Sequence, residues 1–126
     1  MKRIIPLVED HAAFREALAT FLEEDPDFEV AAQVGSLAEA NGIESAVADV
    51  AIIDLSLPDG DGIDLVRQLR REAPHLKTLV LTGSLDPDAE VLAKEAGADE
   101  VLFKSVGIVQ IAEAIRRIVY SVGQKH

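Results

Sequence analysis

The chain has 126 residues, which is the size of one domain and leaves no room for a large two-domain enzyme. With 12 basic against 23 acidic side chains, its net charge is −11 at pH 7. Such a charge repels phosphate backbones and anionic lipid, so this domain alone is predicted to bind neither nucleic acid nor a membrane. The absence of cysteine excludes disulfides, thiolate metal sites and a cysteine nucleophile. No apolar run reaches the length of a signal-peptide core or a spanning helix, which predicts a cytoplasmic protein.

Short apolar runs alternate with amphipathic stretches along the whole chain. The apolar runs predict five strands, which are Ile4–Val8, Glu29–Val34, Val50–Asp54, Thr78–Thr82 and Val101–Phe103. Between them, apolar residues recur at helical spacing. The predicted helices are one that carries Phe14, Leu18 and Leu22, a second over Ser36–Ser45, a third from Gly62 to the residue before Pro74, a fourth starting at Asp86-Pro87, and a fifth from Ile108 to Val122.

This alternation is typical of βαβ units built on a parallel sheet. Right-handed crossovers on five strands predict an α/β fold, a doubly wound three-layer sandwich with its functional groups beyond the carboxyl ends of the strands. The first strand would then lie inside the sheet. Because Pro6 in that strand cannot donate a ladder hydrogen bond, we expect a missing bond or a bulge at this position.

Polar residues stand at or just after the ends of four predicted strands. Glu9 and Asp10 follow the first strand, Asp54 ends the third, Thr82 ends the fourth and Lys104 follows the fifth. In a parallel sheet these ends lie along one edge, so the side chains should meet in one crevice. Crowded carboxylates repel each other and favour a hard divalent cation such as Mg²⁺. A carboxylate beside such a cation can take up a phosphoryl group as an acyl phosphate, and Asp54 is the natural nucleophile.

Four motifs occur in order along the chain. They are Val8-Glu9-Asp10-His11, the segment from Asp54 to Gly62 with Pro58 inside it, the pair Thr82-Gly83, and Lys104. Together they resemble the receiver domain of bacterial two-component response regulators, over nearly the whole chain. The segment Asp25–Val30 and the helix around Ile115–Ile118 are most similar to receivers of LuxR-type transcription regulators. The resemblance implies a flavodoxin-like (βα)5 sandwich whose parallel sheet has the strand order 2-1-3-4-5.

The resemblance also implies a phosphoacceptor and a cofactor. Asp54 would take its phosphoryl group from a phosphohistidine of a sensor histidine kinase or a histidine phosphotransfer protein. Mg²⁺ would be bound by Asp10, Asp54 and the backbone carbonyl of Ser56, with Glu9 contributing through a water molecule. Such a domain is a signalling phosphoacceptor and not an enzyme, apart from catalysing its own phosphorylation and dephosphorylation.

By the same resemblance, Thr82 and Lys104 would contact the phosphoryl oxygens. The backbone amides of Leu55 and Gly83 would help, and Gly83 would leave space beside the new group. Movement of Thr82 toward the phosphate would be the switch. The switch would be read on the face formed by the fourth helix, the fifth strand and the fifth helix, which is also where a homodimer would form.

One position departs from the family pattern and keeps an alternative open. An aromatic residue usually stands three positions before the lysine, and here that position is Val101. Phe103 lies on the opposite side of the strand from Lys104 and is expected in the core. Val101 favours the alternative of a receiver-like module that signals by binding alone, without phosphorylation. A Mg²⁺-dependent aspartyl-phosphate hydrolase is a weaker alternative, because Ser56 stands where such enzymes usually have a second aspartate.

Each residue of the predicted site could also have a purely structural role. Taken singly, Glu9 and Asp10 suit a turn and a helix cap. Asp54, however, ends a buried apolar strand and needs partners, which favours the joint site. His11 is interpreted as a surface residue. The run from Asp59 to Gly62 is interpreted as a turn that starts a helix, because its spacing does not fit a calcium loop.

The chain is predicted to be a single receiver domain over residues 1–126, without an effector domain. LuxR-type regulators carry a helix-turn-helix domain after a linker. Two interpretations therefore stay open. The chain is either the receiver part of a longer DNA-binding regulator, which would reach DNA through a C-terminal effector domain absent here, or a stand-alone relay whose output is a protein contact.

Overall fold

Strands and helices alternate along the chain in the computed structural model, which describes residues 2–83 and 87–121. In chain order the elements are β1 (Arg3–Val8), α1 (Ala12–Glu23), β2 (Phe28–Val34), α2 (Leu37–Ala40), β3 (Val50–Asp54), β4 (Ser56–Leu57), β5 (Gly60–Asp61), α3 (Gly62–Glu72), β6 (Lys77–Thr82), α4 (Pro87–Ala96), β7 (Glu100–Phe103) and α5 (Ile108–Ser121). Each of the five strands predicted from the sequence is present, with its bounds correct to within one residue.

The five long strands form one parallel sheet in the order β2-β1-β3-β6-β7. Because β6 and β7 are the fourth and fifth strands of this sheet, the predicted order 2-1-3-4-5 is confirmed. Buried apolar residues cover both faces of the sheet. One cluster joins the sheet to α1 and α5, and the other joins it to α2, α3 and α4. The predicted doubly wound sandwich of three layers is therefore confirmed.

The irregularity predicted at Pro6 is also confirmed. The pairing of β1 with β2 runs from Ile4 opposite Glu29 to Pro6 opposite Ala32, so β2 contains one extra residue between these pairs. On its other side, β1 pairs with β3 only at Leu7 and Val8. Proline has no N–H to donate to the ladder of a central strand. The bulge beside Pro6 interrupts the regular ladder at this point, so the proline is accommodated.

The predicted helix over Ser36–Ser45 is wrong for most of its length. The structure has only the four-residue α2, followed by a turn through Asn41 and Gly42 and a short 3-10 turn at Ser45–Val47. Asn and Gly are poor helix formers, which explains the early end. The other four predicted helices are present. The predicted cap at Asp86 and the last apolar position at Val122 lie outside the described residues.

A two-stranded antiparallel hairpin, β4–β5, follows the end of β3 and was not predicted. Asp61 ends the hairpin and caps α3, because its side chain accepts a hydrogen bond from the Ile63 amide at 2.9 Å. A Cβ on Gly62 would lie 2.2 Å from the carbonyl oxygen of Asp54, so only glycine lets α3 begin this close to β3. The run from Asp59 to Gly62 therefore ends in a helix start, as predicted, but Gly60 and Asp61 form β5 within it.

None of the helices in the described ranges is long and apolar enough to cross a membrane.

Candidate functional site

Four of the predicted site residues lie along the carboxyl edge of the sheet. Glu9 follows β1, Asp54 ends β3 and Thr82 ends β6, and all three side chains are buried. Lys104 follows β7, and its side chain is 21 % exposed. The parallel strands β3, β6 and β7 are neighbours in the sheet, so their ends bring residues far apart in sequence to the same place.

Lys104 joins the two buried carboxylates. Its Nζ atom lies 3.0 Å from each carboxylate oxygen of Glu9, although the hydrogen-bond geometry is satisfied only at Oε2. The same Nζ atom donates to Oδ2 of Asp54 at 3.4 Å. Phe14 of α1 lies beside the lysine, with its ring centroid 5.3 Å from Nζ. One cation is therefore held between two buried acids and an aromatic ring.

The electrostatics of this cluster change the pKa values of Asp54 and Lys104. Burial of the carboxyl, together with the nearby charge of Glu9, raises the pKa of Asp54 to about 7, even though the Ser56 amide and the Lys104 charge act in the opposite direction. For Lys104, burial acts to lower the pKa. The hydrogen bond to Glu9 and the charges of Asp54 and Glu9 outweigh it, so the pKa of Lys104 is raised. Asp54 is thus the carboxyl whose negative charge is costly in this site.

Glu9, Asp10 and His11 form a compact group of potential metal ligands. One ligand atom of each lies within 4.8 Å of the others, whereas Asp54 is outside this group. Glu9 is fully buried, and its Oε1 accepts no hydrogen bond from the described residues. His11 is exposed, as predicted, but its ring lies beside the acids. Two of the three residues are carboxylates, and carboxylate oxygens suit a hard divalent cation, in particular a buried one that accepts no hydrogen bond from the described residues.

The two backbone amides that follow Asp54 have different hydrogen-bond partners, one on the Asp54 side chain and one in the sheet. The Ser56 amide donates to Oδ1 of Asp54 at 3.1 Å. The Leu55 amide instead donates to the carbonyl of Leu81 at 3.0 Å, which continues the sheet ladder by one residue. A Cβ on Gly83 would meet no heavy atom of the described residues within 4 Å, so these residues leave space at this position.

Arg15 is a residue of this site that the sequence reasoning missed. Its Nη1 donates to the backbone carbonyl of Glu9 at 2.7 Å. It also lies against Gly35, where a Cβ would be 3.0 Å from the same nitrogen. Arg15 thus ties the acidic pair to the loop after β2. A basic residue one helical turn after His11 was the available sequence signal.

Comparison with known proteins identifies the family. The model of the response regulator receiver domain matches residues 5–116. The chain is 37 % identical over 113 residues to the DNA-binding transcriptional activator DevR/DosR of Mycobacterium tuberculosis, covering 89 % of this chain and 52 % of that protein. The chain is a response regulator receiver domain.

Two further relatives agree with this identification. The transcriptional regulatory protein LiaR of Bacillus subtilis is 39 % identical over 113 residues, which cover 87 % of this chain and 53 % of that protein. A two-component response regulator of the LuxR family from Aurantimonas sp. SI85-9A1 superposes with a TM-score of 0.86 at 28 % identity, covering 96 % of this chain and 87 % of that one. The resemblance to receivers of LuxR-type regulators is confirmed. The chain spans about half the length of the curated relatives it matches.

The usual aromatic position of the receiver is occupied by Val101, which is half-buried and packs against the cluster on the α3 and α4 side. Leu102 points to the opposite cluster. Phe103 is also half-buried, but it is not among the residues packed against either cluster. The expectation that Phe103 lies in the core is therefore wrong, because β7 is an edge strand whose residues are all partly exposed.

Proposed function

We propose that Asp54 is the phosphoacceptor of this receiver domain. The observation that carries the proposal is the contact of Lys104 with two buried carboxylates, Glu9 and Asp54, at the carboxyl edge of the sheet. Asp54 Oδ1 is oriented by the Ser56 amide, while Oδ2 faces Lys104. A carboxylate held at both oxygens is positioned for attack on an incoming phosphorus atom.

We propose that the donor is a phosphohistidine on a sensor histidine kinase or a histidine phosphotransfer protein. A carboxylate oxygen of Asp54 forms the new P–O bond as the P–N bond of the donor breaks, and the imidazole leaves with the bonding electron pair. Lys104 exchanges part of its contact with the two acids for a phosphoryl oxygen and balances the added negative charge. The domain therefore acts as a self-catalysing phosphoacceptor and not as an enzyme with turnover of a free substrate.

Four groups are proposed to hold Mg²⁺. Asp10, Asp54 and the carbonyl of Ser56 would bind the ion directly, and Glu9 would contribute through water. The Oε1 atom of Glu9, which accepts no hydrogen bond from the described residues, and the exposed carboxylate of Asp10 support this assignment. When bound, Mg²⁺ supplies charge neutralisation for the acids and for the phosphoryl oxygens.

Thr82 and Gly83 are proposed to complete the phosphoryl site. The buried Thr82 would move toward the phosphoryl oxygens as the switch, and the Gly83 amide would donate to one of them in the space described above. The proposed role of the Leu55 amide requires it to share its proton with the Leu81 carbonyl that it now binds. The Ser56 amide, already directed at Asp54, is available without breaking the sheet ladder.

Intact-mass measurement tests the acceptor directly. The wild-type domain is incubated with Mg²⁺ and acetyl phosphate, and we expect one phosphate adduct that is absent from Asp54→Asn. Asp64→Asn, which changes an exposed aspartate of α3, should be phosphorylated like the wild type. An unphosphorylated wild-type domain, or an adduct that persists in Asp54→Asn, would refute the proposal.

We propose that residues 1–126 form one receiver unit. We further propose that this unit controls a DNA-binding part of a longer protein. Support comes from the similarity to a named DNA-binding transcriptional activator about twice as long as the matched segment. The face of α4, β7 and α5 is proposed as the dimer surface, because α4 and α5 each carry an exposed apolar side chain, Val91 and Val109. Light scattering with and without beryllofluoride tests this surface, and a wild-type domain that stays monomeric when activated would argue against it.

A further inference from the structure

The acceptor loop makes a direct contact with α2 through Asp59. This residue lies five positions after Asp54, between β4 and β5. Its Oδ1 accepts a hydrogen bond from the Leu37 amide at 2.8 Å, and its Oδ2 accepts one from the Ala38 amide at 3.0 Å. Both donors are the first amides of α2. These two bonds lower the pKa of Asp59, so the carboxyl is ionised at neutral pH.

The helix that receives this contact cannot be stable through its own length. With four residues, α2 is far below the dozen or so that an isolated helix requires. It depends on its capping groups instead. The Ser36 hydroxyl accepts from the Glu39 amide at 3.1 Å, and the Glu39 side chain accepts from the Gly35 amide at 2.6 Å. Asp59 lies in a different loop and accepts hydrogen bonds from the Leu37 and Ala38 amides, which these two local caps do not bind.

The segment that carries Asp59 is equally short. The β4–β5 hairpin has only two residue pairs, Ser56 with Asp61 and Leu57 with Gly60, and a hairpin of this size is not stable alone. Its Gly60 packs on α2 closely enough that a Cβ there would lie 2.5 Å from Cδ1 of Leu37. The contact between Asp59 and α2 thus fixes two short elements against each other.

The proposed metal site includes a backbone group of this same segment. Ser56 begins β4, and its amide already orients Asp54. At the other end, Gly62 lies against the carbonyl of Asp54. The β2–α2 loop also contacts the acidic pair, because Gly35 lies beside Arg15 and near the Cα of Asp10. Asp59 connects α2, which follows this loop, to the acceptor segment.

We propose that Asp59 is a positioning residue for phosphoryl transfer, which holds the Ser56–Asp61 segment against α2 so that the Ser56 carbonyl and Asp54 keep their geometry toward the acidic pair. This inference rests on the proposed function of Asp54. It assigns to Asp59 a role that acts through Ser56, without contact to the phosphoryl group. Loss of a partner that orients a metal ligand typically costs 10- to 100-fold in metal affinity or activity.

The test compares wild type, Asp59→Ala, Asp59→Asn and the matched control Asp64→Asn in phosphorylation by acetyl phosphate over a series of Mg²⁺ concentrations. We expect Asp59→Ala to raise the Mg²⁺ concentration for half-maximal rate by roughly 10-fold. Asp59→Asn should show a smaller shift, because its amide oxygen still accepts one bond. Asp64→Asn removes the same charge from an exposed residue whose side chain forms an ion pair with Arg67 of α3, so it should behave like the wild type.

A second measurement keeps the two proposals separate. Amide hydrogen exchange at Leu37 and Ala38, followed by NMR without any phosphodonor, should be faster in Asp59→Ala and unchanged in Asp64→Asn. If the wild type takes up no phosphate, the proposed function fails, whatever the exchange data show. If the wild type is phosphorylated and Asp59→Ala has the same Mg²⁺ dependence, or loses only thermal stability, the positioning role is overturned.

Discussion

Replacing Asp54 with asparagine should stabilise the metal-free domain at alkaline pH. Asp54 is 1 % exposed, and burial together with the nearby charge of Glu9 raises the pKa of its carboxyl to about 7, compared with an ordinary value of 3.8. Its negative charge is therefore unfavourable in the folded protein. Asparagine has nearly the same shape, keeps an acceptor for the Ser56 amide and removes the charge.

The size of the effect follows from the difference between the folded and unfolded pKa. About three pH units correspond to about 4 kcal/mol at 1.36 kcal/mol per unit. The pKa of about 7 already includes the opposing attraction of Lys104, so we expect Asp54→Asn to gain at most about 4 kcal/mol in unfolding free energy near pH 8. Between about pH 4 and pH 7 the folded wild type binds more protons than the unfolded chain, so wild-type stability falls with rising pH in this window. Asp54→Asn has no titrating carboxyl at this position, so its stability lacks this dependence on pH.

Urea unfolding in the presence of a chelator, at a series of pH values from about 4.5 to 8.5, measures the effect. The stability difference between Asp54→Asn and wild type should grow with pH and level off above about pH 7. Asp64→Asn is the matched control, because it changes an exposed aspartate that is paired only with Arg67 among the described residues. Parallel pH profiles for Asp54→Asn and wild type would show that the charge of Asp54 is not unfavourable in the folded state, and the reasoning would fail.

Three further predictions follow from the site. Mg²⁺ at about 100 times its dissociation constant should raise the unfolding free energy of the wild type by about 2.7 kcal/mol, as measured by thermal unfolding. The same Mg²⁺ concentration should stabilise Asp54→Asn much less. Equal gains would contradict the proposed ligand role of Asp54. Lys104→Met should destabilise the domain by about 2–3 kcal/mol in urea unfolding, because the buried Glu9 loses its cation, and an unchanged midpoint would show that Glu9 needs no counter-charge. Gly62→Ala should lower the unfolding free energy by about 3 kcal/mol, because its Cβ clashes with the Asp54 carbonyl. Gly83→Ala should stay within about 1 kcal/mol of wild type. Similar losses of stability in the two variants would contradict this account of the local packing.

The positions of the strands along the chain and their parallel direction were predictable because they depend on local pattern and on the alternation of strands with helices. Val50–Asp54 is apolar up to its last residue, and a strand of this kind is buried on both faces wherever it lies in a parallel sheet. The strand ends then place Glu9, Asp54, Thr82 and Lys104 at one edge by topology alone. The bulge at Pro6 was predictable for the same reason, because a missing N–H is a property of the residue itself.

The length of α2 could not be read from local pattern. Ser36–Ser45 contains enough apolar residues to suggest a helix, yet Asn41 and Gly42 end it, and the remaining turn is capped by Asp59 from another loop. That contact joins residues more than 20 positions apart, and no periodicity reports it.

By itself, the sequence predicted the parallel α/β fold and which side chains lie at the carboxyl edge, because both follow from periodicity, chain direction and the handedness of crossovers. The order of the strands was implied by the resemblance to receiver domains. Only the tertiary structure decided how the site is held. Lys104 bridges Glu9 and Asp54, Arg15 binds the carbonyl of Glu9, and Asp59 caps α2. These contacts depend on distances of about 3 Å between loops, and such distances are set by packing across the whole molecule.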